Sequence, residues 1–317
     1  MTIGGFASLA WHDDRRALIE PPGLSPLVAD PSFLFPDETP DGSWRLFAHT
    51  AFGIHDFASE DGLRWRDRGI VAWNAMRAFV RAFSDGFRLY CESYRPLAIP
   101  MQLLPRRPKW RSRIEVRTSR DLAAWGPPRV LLEPTLPWQR DERLGSSVGN
   151  PCLVRDGGRW LLYFSASLAY VPDCGFDEPR FIGVATADSP DGPFTVAPQP
   201  VIDPAEDTLP GVLGAGSVKV LRLDDGFAAL QNKIYLDATG TSHSALFLLR
   251  SADGARWESA RAEPLLAPDE GWRRSHVYAC DARFRGADSR WYLYYNARDG
   301  WHKARGRERI GRLLAPA

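Results

Sequence analysis

Hydrophobic positions in this chain recur in short runs, and a polar turn precedes each run. Five segments place a Gly, Asp or Ser turn before an aromatic residue and a short apolar stretch. They are DGSWRLFAH (41–49), DGFRLYCE (85–92), DGGRWLLYFS (156–165), DDGFAALQN (224–232) and ADSRWYLYYN (287–296). Turns of this kind followed by short apolar runs are typical of β-hairpins. The pattern therefore predicts an all-β chain built from one recurring unit.

A second turn motif follows four of the five strands and again ends on an aromatic residue. Its copies are SEDGLRW (59–65), TSRDLAAW (118–125), ADSPDGPF (187–194) and RSADGARW (250–257). The fifth copy stands at the start of the chain, where SLAWHDDRRALIE (8–20) resembles GLRWRDRGIVAW (62–73). A repeat that is split between the two ends of a chain is expected when the first and last units share one sheet.

We therefore expect a single domain over residues 1–317, folded as a five-bladed β-propeller. IGRLLA (310–315) would be the third strand of the last blade, and the segment after Trp11 would be its outermost strand, which closes the ring. Closure of this kind removes the exposed sheet edges of an open sheet. A β-sandwich with similar hairpins is the alternative, but it gives no reason for two motifs that alternate in fivefold order.

Charge and composition exclude several classes of partner. The 40 basic and 39 acidic residues leave a net charge of +1, so no overall field favours nucleic acid or a membrane surface. We see no secretory signal and no apolar run near the roughly 18 residues of a membrane span, and we expect a cytoplasmic protein. Cys91, Cys152, Cys174 and Cys280 form no C-x-x-C pair, which favours buried thiols over a zinc site or a disulfide framework.

Two rings of polar residues occupy matching positions in the five units. Five residues after each turn aromatic stand His49, Glu92, Ser165, Asn232 and Asn296. On the preceding strand, ten residues before the aromatic or 14 in the first unit, stand Asp30, Arg77, Asn150, Ser217 and Asp281. Because these residues end apolar strands on one face of the disc, we expect them to line a central funnel. A single Ser or Asn there is explained better as a strand cap, whereas three carboxylates, Asp30, Glu92 and Asp281, favour a functional site.

Two basic clusters fall on the same face, PRRPKWRSR (105–113) and HKARGRER (302–309), and Arg273, Arg274 and Arg298 lie on that side as well. A solvated rim is one interpretation of such clusters. The other is that the funnel receives an anionic sugar, since the arginine fork matches carboxylate, sulfate and phosphate groups.

ADPSFLF (29–35) followed by DGSWRLF resembles the opening of the five-bladed glycosidase group that includes glycoside hydrolase family 43. GNPCLVRDGGRWLLYFSAS (149–167), GAGSVKVLRLDDGF (214–227) and WYLYYNARD (291–299) are similar to the family 130 phosphorylases and the family 117 hydrolases. The resemblance implies that Asp30 is the general base. It also implies a family 43 Asp and a Glu general acid at places that here read Asn150 and Ala215-Gly216-Ser217. The family 43 acid is therefore absent.

Family 117 uses a His as acid, so the resemblance makes His276 the first substitute and Glu92 the second. His276 is explained equally well as a strand-entry residue that the main chain satisfies. Phosphorolysis, the family 130 reaction, would use the arginines to hold phosphate. Our leading hypothesis is an inverting glycoside hydrolase that acts on a small or oligomeric sugar, anionic or furanosidic among the options, with Asp30 as base and His276 or Glu92 as acid. Asp281 and Asn150 would tune the pair or orient the sugar, and Tyr278 and Arg298 join the rings in the substrate-binding set.

A catalytically silent sugar-binding propeller and a glycoside phosphorylase are the alternatives. No cofactor is required by these hypotheses. The sequence also allows a calcium ion on the propeller axis, because a propeller channel can hold one without a sequence motif.

Overall fold

The computed structural model describes residues 1–102, 104 and 106–317, and its chain is built mainly from β-strands. Two short helices are present, α1 (Ile3–Ala7) and α2 (Ala98–Met101), together with 3-10 turns at Pro36–Glu38, Pro137–Gln139, Pro204–Glu206 and Gly271–Arg273. The strands, in chain order, are β1 (His12–Asp13), β2 (Ala29–Leu34), β3 (Trp44–His49), β4 (Gly53–Ser59), β5 (Arg66–Trp73), β6 (Ala75–Phe83), β7 (Gly86–Tyr94), β8 (Trp110–Ser119), β9 (Arg129–Leu132), β10 (Arg140–Asp141), β11 (Gly145–Ser146), β12 (Val148–Asp156), β13 (Arg159–Val171), β14 (Phe176–Ala187), β15 (Thr195–Val196), β16 (Val212–Leu223), β17 (Gly226–Leu236), β18 (Ser242–Ser251), β19 (Glu258–Ser259), β20 (His276–Arg285), β21 (Arg290–Arg298) and β22 (Glu308–Pro316).

Antiparallel pairing joins these strands into five consecutive series of four. The series are β2-β3-β4-β5, β6-β7-β8-β9, β12-β13-β14-β15, β16-β17-β18-β19 and β20-β21-β22-β1. The second strand of each series carries one of the five turn-aromatic motifs. The short strands β10 and β11 extend the edge of β8. The prediction of an all-β chain is thus confirmed, while the blade count and the single-domain boundaries stay predictions.

The N-terminal segment pairs with the last long strand. His12 lies opposite Leu314 and Asp13 lies opposite Leu313, so β1 is the neighbour of β22 in the fifth series. Further along, the Leu18 N–H donates to the Ile310 carbonyl at 2.7 Å. The strand pairing expected after Trp11 is therefore present, and closure of the whole ring stays a prediction.

The second turn motif connects neighbouring series through buried tyrosines. In three of these turns a Ser hydroxyl and an Asp carboxylate accept main-chain N–H groups, as Ser59 does from Gly62 at 2.9 Å. The Tyr294 hydroxyl of the fifth series donates to the Gly62 carbonyl of the first at 2.8 Å, and the Tyr163 hydroxyl of the third donates to the Gly254 carbonyl of the fourth at 2.8 Å. These two turns therefore contribute to the packing between series.

The hydrophobic core lies between successive series, where apolar faces of adjoining sheets meet. Its largest cluster combines residues of the second, third and fourth series, among them Phe79, Tyr163 and Val218. The four cysteines are buried free thiols, as expected. Within the described part of the chain, no helix has the length and apolar character needed to cross a membrane.

Candidate functional site

A cavity of about 830 Å³ opens where the first two strands of the five series meet. Its polar lining includes eight of the thirteen residues that the sequence placed in a site. They are Asp30, His49, Arg77, Asn150, Ser217, Asn232, Tyr278 and Asn296. The two predicted polar rings therefore converge for the most part on one pocket.

In three of the series, a bulge in the first strand orients one of these side chains toward the cavity. Asp30, Arg77 and Asn150 each have a left-handed backbone, with φ of +52°, +59° and +49°. Each lies at an interruption of the strand register, between Ala29 and Ser32 in the case of Asp30. A bulge of this kind redirects a side chain, and a positive φ outside glycine is costly and concentrates at functional sites.

Asp30 has two direct neighbours in the cavity wall. Its Oδ2 lies 3.2 Å from Nδ1 of His49, and its own N–H donates to Oδ1 of Asn296 at 3.1 Å. Burial lowers the pKa of His49, which leaves the imidazole neutral near pH 7. The Asp30 side chain keeps 18% of its surface exposed, so it is available to a ligand in the cavity.

Glu178 is the most perturbed carboxyl group of the cavity. It lies near the start of β14, opposite Ala169 of β13, and it is partly buried. Burial raises its pKa to about 7; the Glu308 and Asp30 carboxylates act in the same direction, and the Arg77 guanidinium opposes them. A carboxyl group with a pKa near the working pH is suited to donate a proton.

Glu308 completes a hydrogen-bonded path behind Asp30. Asn296 Nδ2 donates to Glu308 Oε2 at 3.0 Å, and Arg298 Nη1 donates to Glu308 Oε1 at 3.1 Å. Burial raises the pKa of Glu308, and the Asp30 carboxylate adds to this shift. Asn296 therefore links the main chain of Asp30 to a second acidic side chain that Arg298 holds in place.

Glu92 lies behind the cavity wall, not in it. Its carboxylate is fully buried and accepts from Arg77 Nη1 at 2.6 Å and from Trp110 Nε1 at 3.2 Å. Gly149 leaves room for this pair, since a Cβ there would fall 1.7 Å from Glu92 Oε2. Ser165 also lies behind the wall and accepts from Asn150 Nδ2 at 2.8 Å. Glu92 thus orients Arg77, and Ser165 orients Asn150.

Asp281 departs from the expected register by two residues. Asp281 pairs with Tyr294, which stands three residues after the turn aromatic Trp291. At the same position of the third series, Cys152 pairs with Tyr163. The last hairpin is two residues longer, so Ala279, not Asp281, reaches the cavity. Asp281 is buried in an ion pair with Arg81, whose Nη2 lies 2.9 Å from Oδ1, and accepts from the Ser32 hydroxyl at 2.9 Å.

His276 and Arg298 are also outside the cavity lining. His276 is 1% exposed and stacks on Tyr278 with 5.3 Å between ring centroids, and burial lowers its pKa to about 3. A neutral, enclosed imidazole is poorly suited to donate a proton near pH 7, which weighs against His276 as the acid. Arg298 is buried and donates to the carbonyls of Gly300 and Arg305, which fixes the loop before Glu308.

Only part of the two basic clusters reaches the site. Arg107 and Lys303 line the cavity, and Pro105 of the first cluster lies outside the described residues. Arg107 is already paired with Asp177, its Nη2 donating at 2.8 Å, and Lys303 Nζ donates to the Gln102 carbonyl at 3.1 Å. Arg273 is buried beside Asp13 and Asp269, and Arg274 donates to the Asp299 carbonyl. These side chains mainly hold loops together.

The sequence did not single out Glu178, Glu308 or Asp177. All three stand in or next to the connection between the second and third strands of a series, whereas the two polar rings lie on the first two strands only. The strands β13 and β14 have 13 and 12 residues, and their far ends carry Asp177 and Glu178 beyond the polar rings. Among the described residues, no group of three or more His, Cys, Asp or Glu side chains is arranged to hold a metal ion.

The chain matches no protein-family model and no curated protein sequence. Its fold is similar to solved structures over nearly its whole length. A glycoside hydrolase aligns with a TM-score of 0.71 and 10% identity over 98% of this chain and 94% of its own. A thermostable family-43 glycoside hydrolase aligns with a TM-score of 0.61 and 12% identity over 95% and 92%.

An N-acetylgalactosamine deacetylase from F. plautii, solved with blood group B trisaccharide, aligns with a TM-score of 0.63 and 15% identity over 96% and 95%. The resemblance to the glycosidase group is therefore confirmed for the fold. Because these structures differ in reaction, the fold alone does not assign one to this chain.

Proposed function

We propose that this chain is a carbohydrate-active enzyme, an inverting glycoside hydrolase whose site is the cavity at the centre of a single five-bladed β-propeller. The five antiparallel series and the pairing of β1 with β22 support the propeller. One observation carries the proposed reaction: Asp30 and Glu178, two carboxyl groups in unlike environments, line the same cavity.

Inverting hydrolysis needs one carboxyl group that is ionised and one that is protonated. The base activates water on one side of the sugar, and the acid protonates the leaving oxygen on the other. Asp30, aimed by its bulge and 3.2 Å from His49, is the proposed base. Glu178, whose pKa burial raises to about 7, is the proposed acid in place of His276 and Glu92.

The remaining polar lining supports recognition of sugar hydroxyl groups. Arg77 and Asn150 are held by Glu92 and Ser165 at their rear, so each presents a fixed donor or acceptor to the cavity. Asn232 accepts the Ser217 N–H at 2.7 Å, which fixes the amide on the fourth series. Rigid, convergent polar groups of this kind give a sugar site its orientation.

Charge in the described lining does not favour an anionic sugar. Apart from the proposed acid Glu178, three carboxyl groups, Asp30, Asp177 and Glu308, face three cationic groups, Arg77, Arg107 and Lys303. Two of these cations are already paired with carboxylates. We therefore propose a neutral sugar. Binding of a hexuronate in preference to the matching neutral hexose would contradict this choice.

The test is a panel of glycosides incubated with the wild type and with Asp30→Asn, each with and without inorganic phosphate. The proposal expects release of free sugar by the wild type, independent of phosphate, and loss of release by the variant. Formation of a sugar phosphate would instead identify a phosphorylase. Saturable binding with no product would identify a silent sugar-binding propeller.

A further inference from the structure

One side of the cavity mouth is lined by apolar side chains that face solvent. We call this surface the apolar rim, and it consists of Phe52, Trp73, Pro96, Leu97, Ile99 and Pro100. The exposed fractions are 47% for Phe52, 64% for Trp73 and 69% for Leu97. Large apolar side chains grouped at this exposure, beside a pocket, mark a binding surface.

The rim is a continuous piece of structure. The Asn74 N–H donates to the Phe52 carbonyl at 3.1 Å, and the Tyr94 N–H donates to the Asn74 carbonyl at 3.0 Å. These bonds join the turn that holds Phe52, the end of β5 that holds Trp73, and the segment that follows β7. Leu97 has a left-handed backbone conformation with φ of +64°, which is uncommon for a leucine.

Polar groups, most of them buried, line another part of the same cavity. Asp30 and Asn150, near the start of β2 and β12, and Asn232 of β17 line this part, whereas the rim supplies mainly aliphatic and aromatic surface. A sugar ring needs partners for its hydroxyl groups, and Leu97, Ile99 and the prolines offer none from their side chains. An apolar group gains free energy when it covers this surface.

We infer that the apolar rim is a subsite for the aglycone, and that the substrate is a small glycoside whose leaving group is an apolar alcohol, not a further sugar unit. This inference rests on the proposed function. It assigns the polar part of the cavity to the glycone and the rim to the group that departs. Continuity of the rim with the cavity that holds Asp30 and Glu178 favours this occupant over a partner protein.

The test compares methyl and hexyl glycosides of the same sugar, using glucose, galactose, xylose and arabinofuranose in turn. Both leaving groups are primary or simple alkyl alcohols, so the comparison reports binding more than leaving-group chemistry. Dissociation constants are measured by calorimetry with Asp30→Asn, which avoids turnover. For whichever sugar binds, we expect the hexyl glycoside to bind at least tenfold more tightly than the methyl glycoside.

Trp73→Ala and Leu97→Ala should each reduce the hexyl preference several-fold and leave methyl glycoside binding unchanged. Phe284→Ala is the matched control, because Phe284 is 43% exposed and absent from the cavity lining. Equal affinity for both glycosides, or equal effects of the rim and control variants, would overturn the inference. So would a concentration-dependent dimer that Trp73→Ala dissociates, because the rim would then be an interface between copies.

The apolar probe 2-naphthol separates this inference from the proposed function. Binding of 2-naphthol that Trp73→Ala weakens, together with full glycoside turnover by Asp30→Asn, would support the subsite and refute the catalytic assignment. Loss of turnover in Asp30→Asn with no rim-dependent binding of 2-naphthol or hexyl glycosides would refute the subsite alone.

Discussion

Nδ1 of His49 lies 3.2 Å from Oδ2 of Asp30, which joins a residue at the end of β3 to a bulge residue of β2. The two positions belong to separate polar rings in the sequence, and the bulge brings them together. Burial lowers the pKa of His49, so its ring is neutral near pH 7 and lies beside the Asp30 side chain as an uncharged neighbour. This arrangement is suited to a base that accepts a proton from water.

Asp30→Asn should abolish glycoside hydrolysis while the protein stays folded. The amide has the same shape but cannot accept the proton, and loss of a general base costs about 10²–10⁴-fold in rate. The kcat of the purified variant and its thermal unfolding temperature are the measurements. A melting temperature near that of the wild type with kcat unchanged would show that Asp30 is not the base.

Glu178 should set the alkaline limb of the pH–rate profile. The acid must be protonated to donate, and burial raises its pKa to about 7, so kcat/KM should fall as pH rises through about 7. Glu178→Gln should remove this limb. It should also slow alkyl glycosides far more than nitrophenyl glycosides, whose leaving groups need little protonation. Equal losses on both substrates would argue against Glu178 as the acid.

Asp281 should stabilise the fold through its pair with Arg81. Breaking a buried ion pair costs about 3–5 kcal/mol, and Asp281→Asn removes the charge that Arg81 faces. Arg81 holds the pKa of Asp281 below its usual value against the effect of burial. The stabilisation is therefore present above the unfolded-state pKa of about 3.9 and is lost as pH falls below it. Urea unfolding at pH 7 and pH 3 checks this prediction. The difference in the free energy of unfolding between wild type and variant should be smaller at pH 3 than at pH 7. A difference that stays constant would contradict the linkage.

His276 should affect acid stability and not the catalytic pH profile. Burial lowers its pKa to about 3, so the folded state binds fewer protons than the unfolded state between pH 3 and about 6.5. Stability is consequently lost as pH falls through this window. His276→Phe, which preserves stacking on Tyr278, should lose less stability between pH 6.5 and pH 4 than the wild type does. A shifted alkaline limb in kcat/KM would mean that His276 takes part in proton transfer.

The repeats predicted the strand series because turn chemistry and apolar runs are local properties of the chain. Asp30, Arg77 and Asn150 line one pocket, as their matching positions predict, because each lies at a bulge in the first strand of its series. Asp281 was misplaced because a hairpin two residues longer shifts the register, which residue counting alone does not detect. Glu178 and the apolar rim were missed because they lie in connections whose positions depend on packing between series.

The most direct test of the account is the configuration of the first product, followed by proton NMR during hydrolysis of an alkyl glycoside by the wild type, Asp30→Asn and Glu178→Gln. We expect the wild type to release the anomer opposite to that of the substrate before mutarotation, and both variants to release almost none. Release of the same anomer as the substrate, or undiminished release by either variant, would contradict the assignment of Asp30 and Glu178 as an inverting pair.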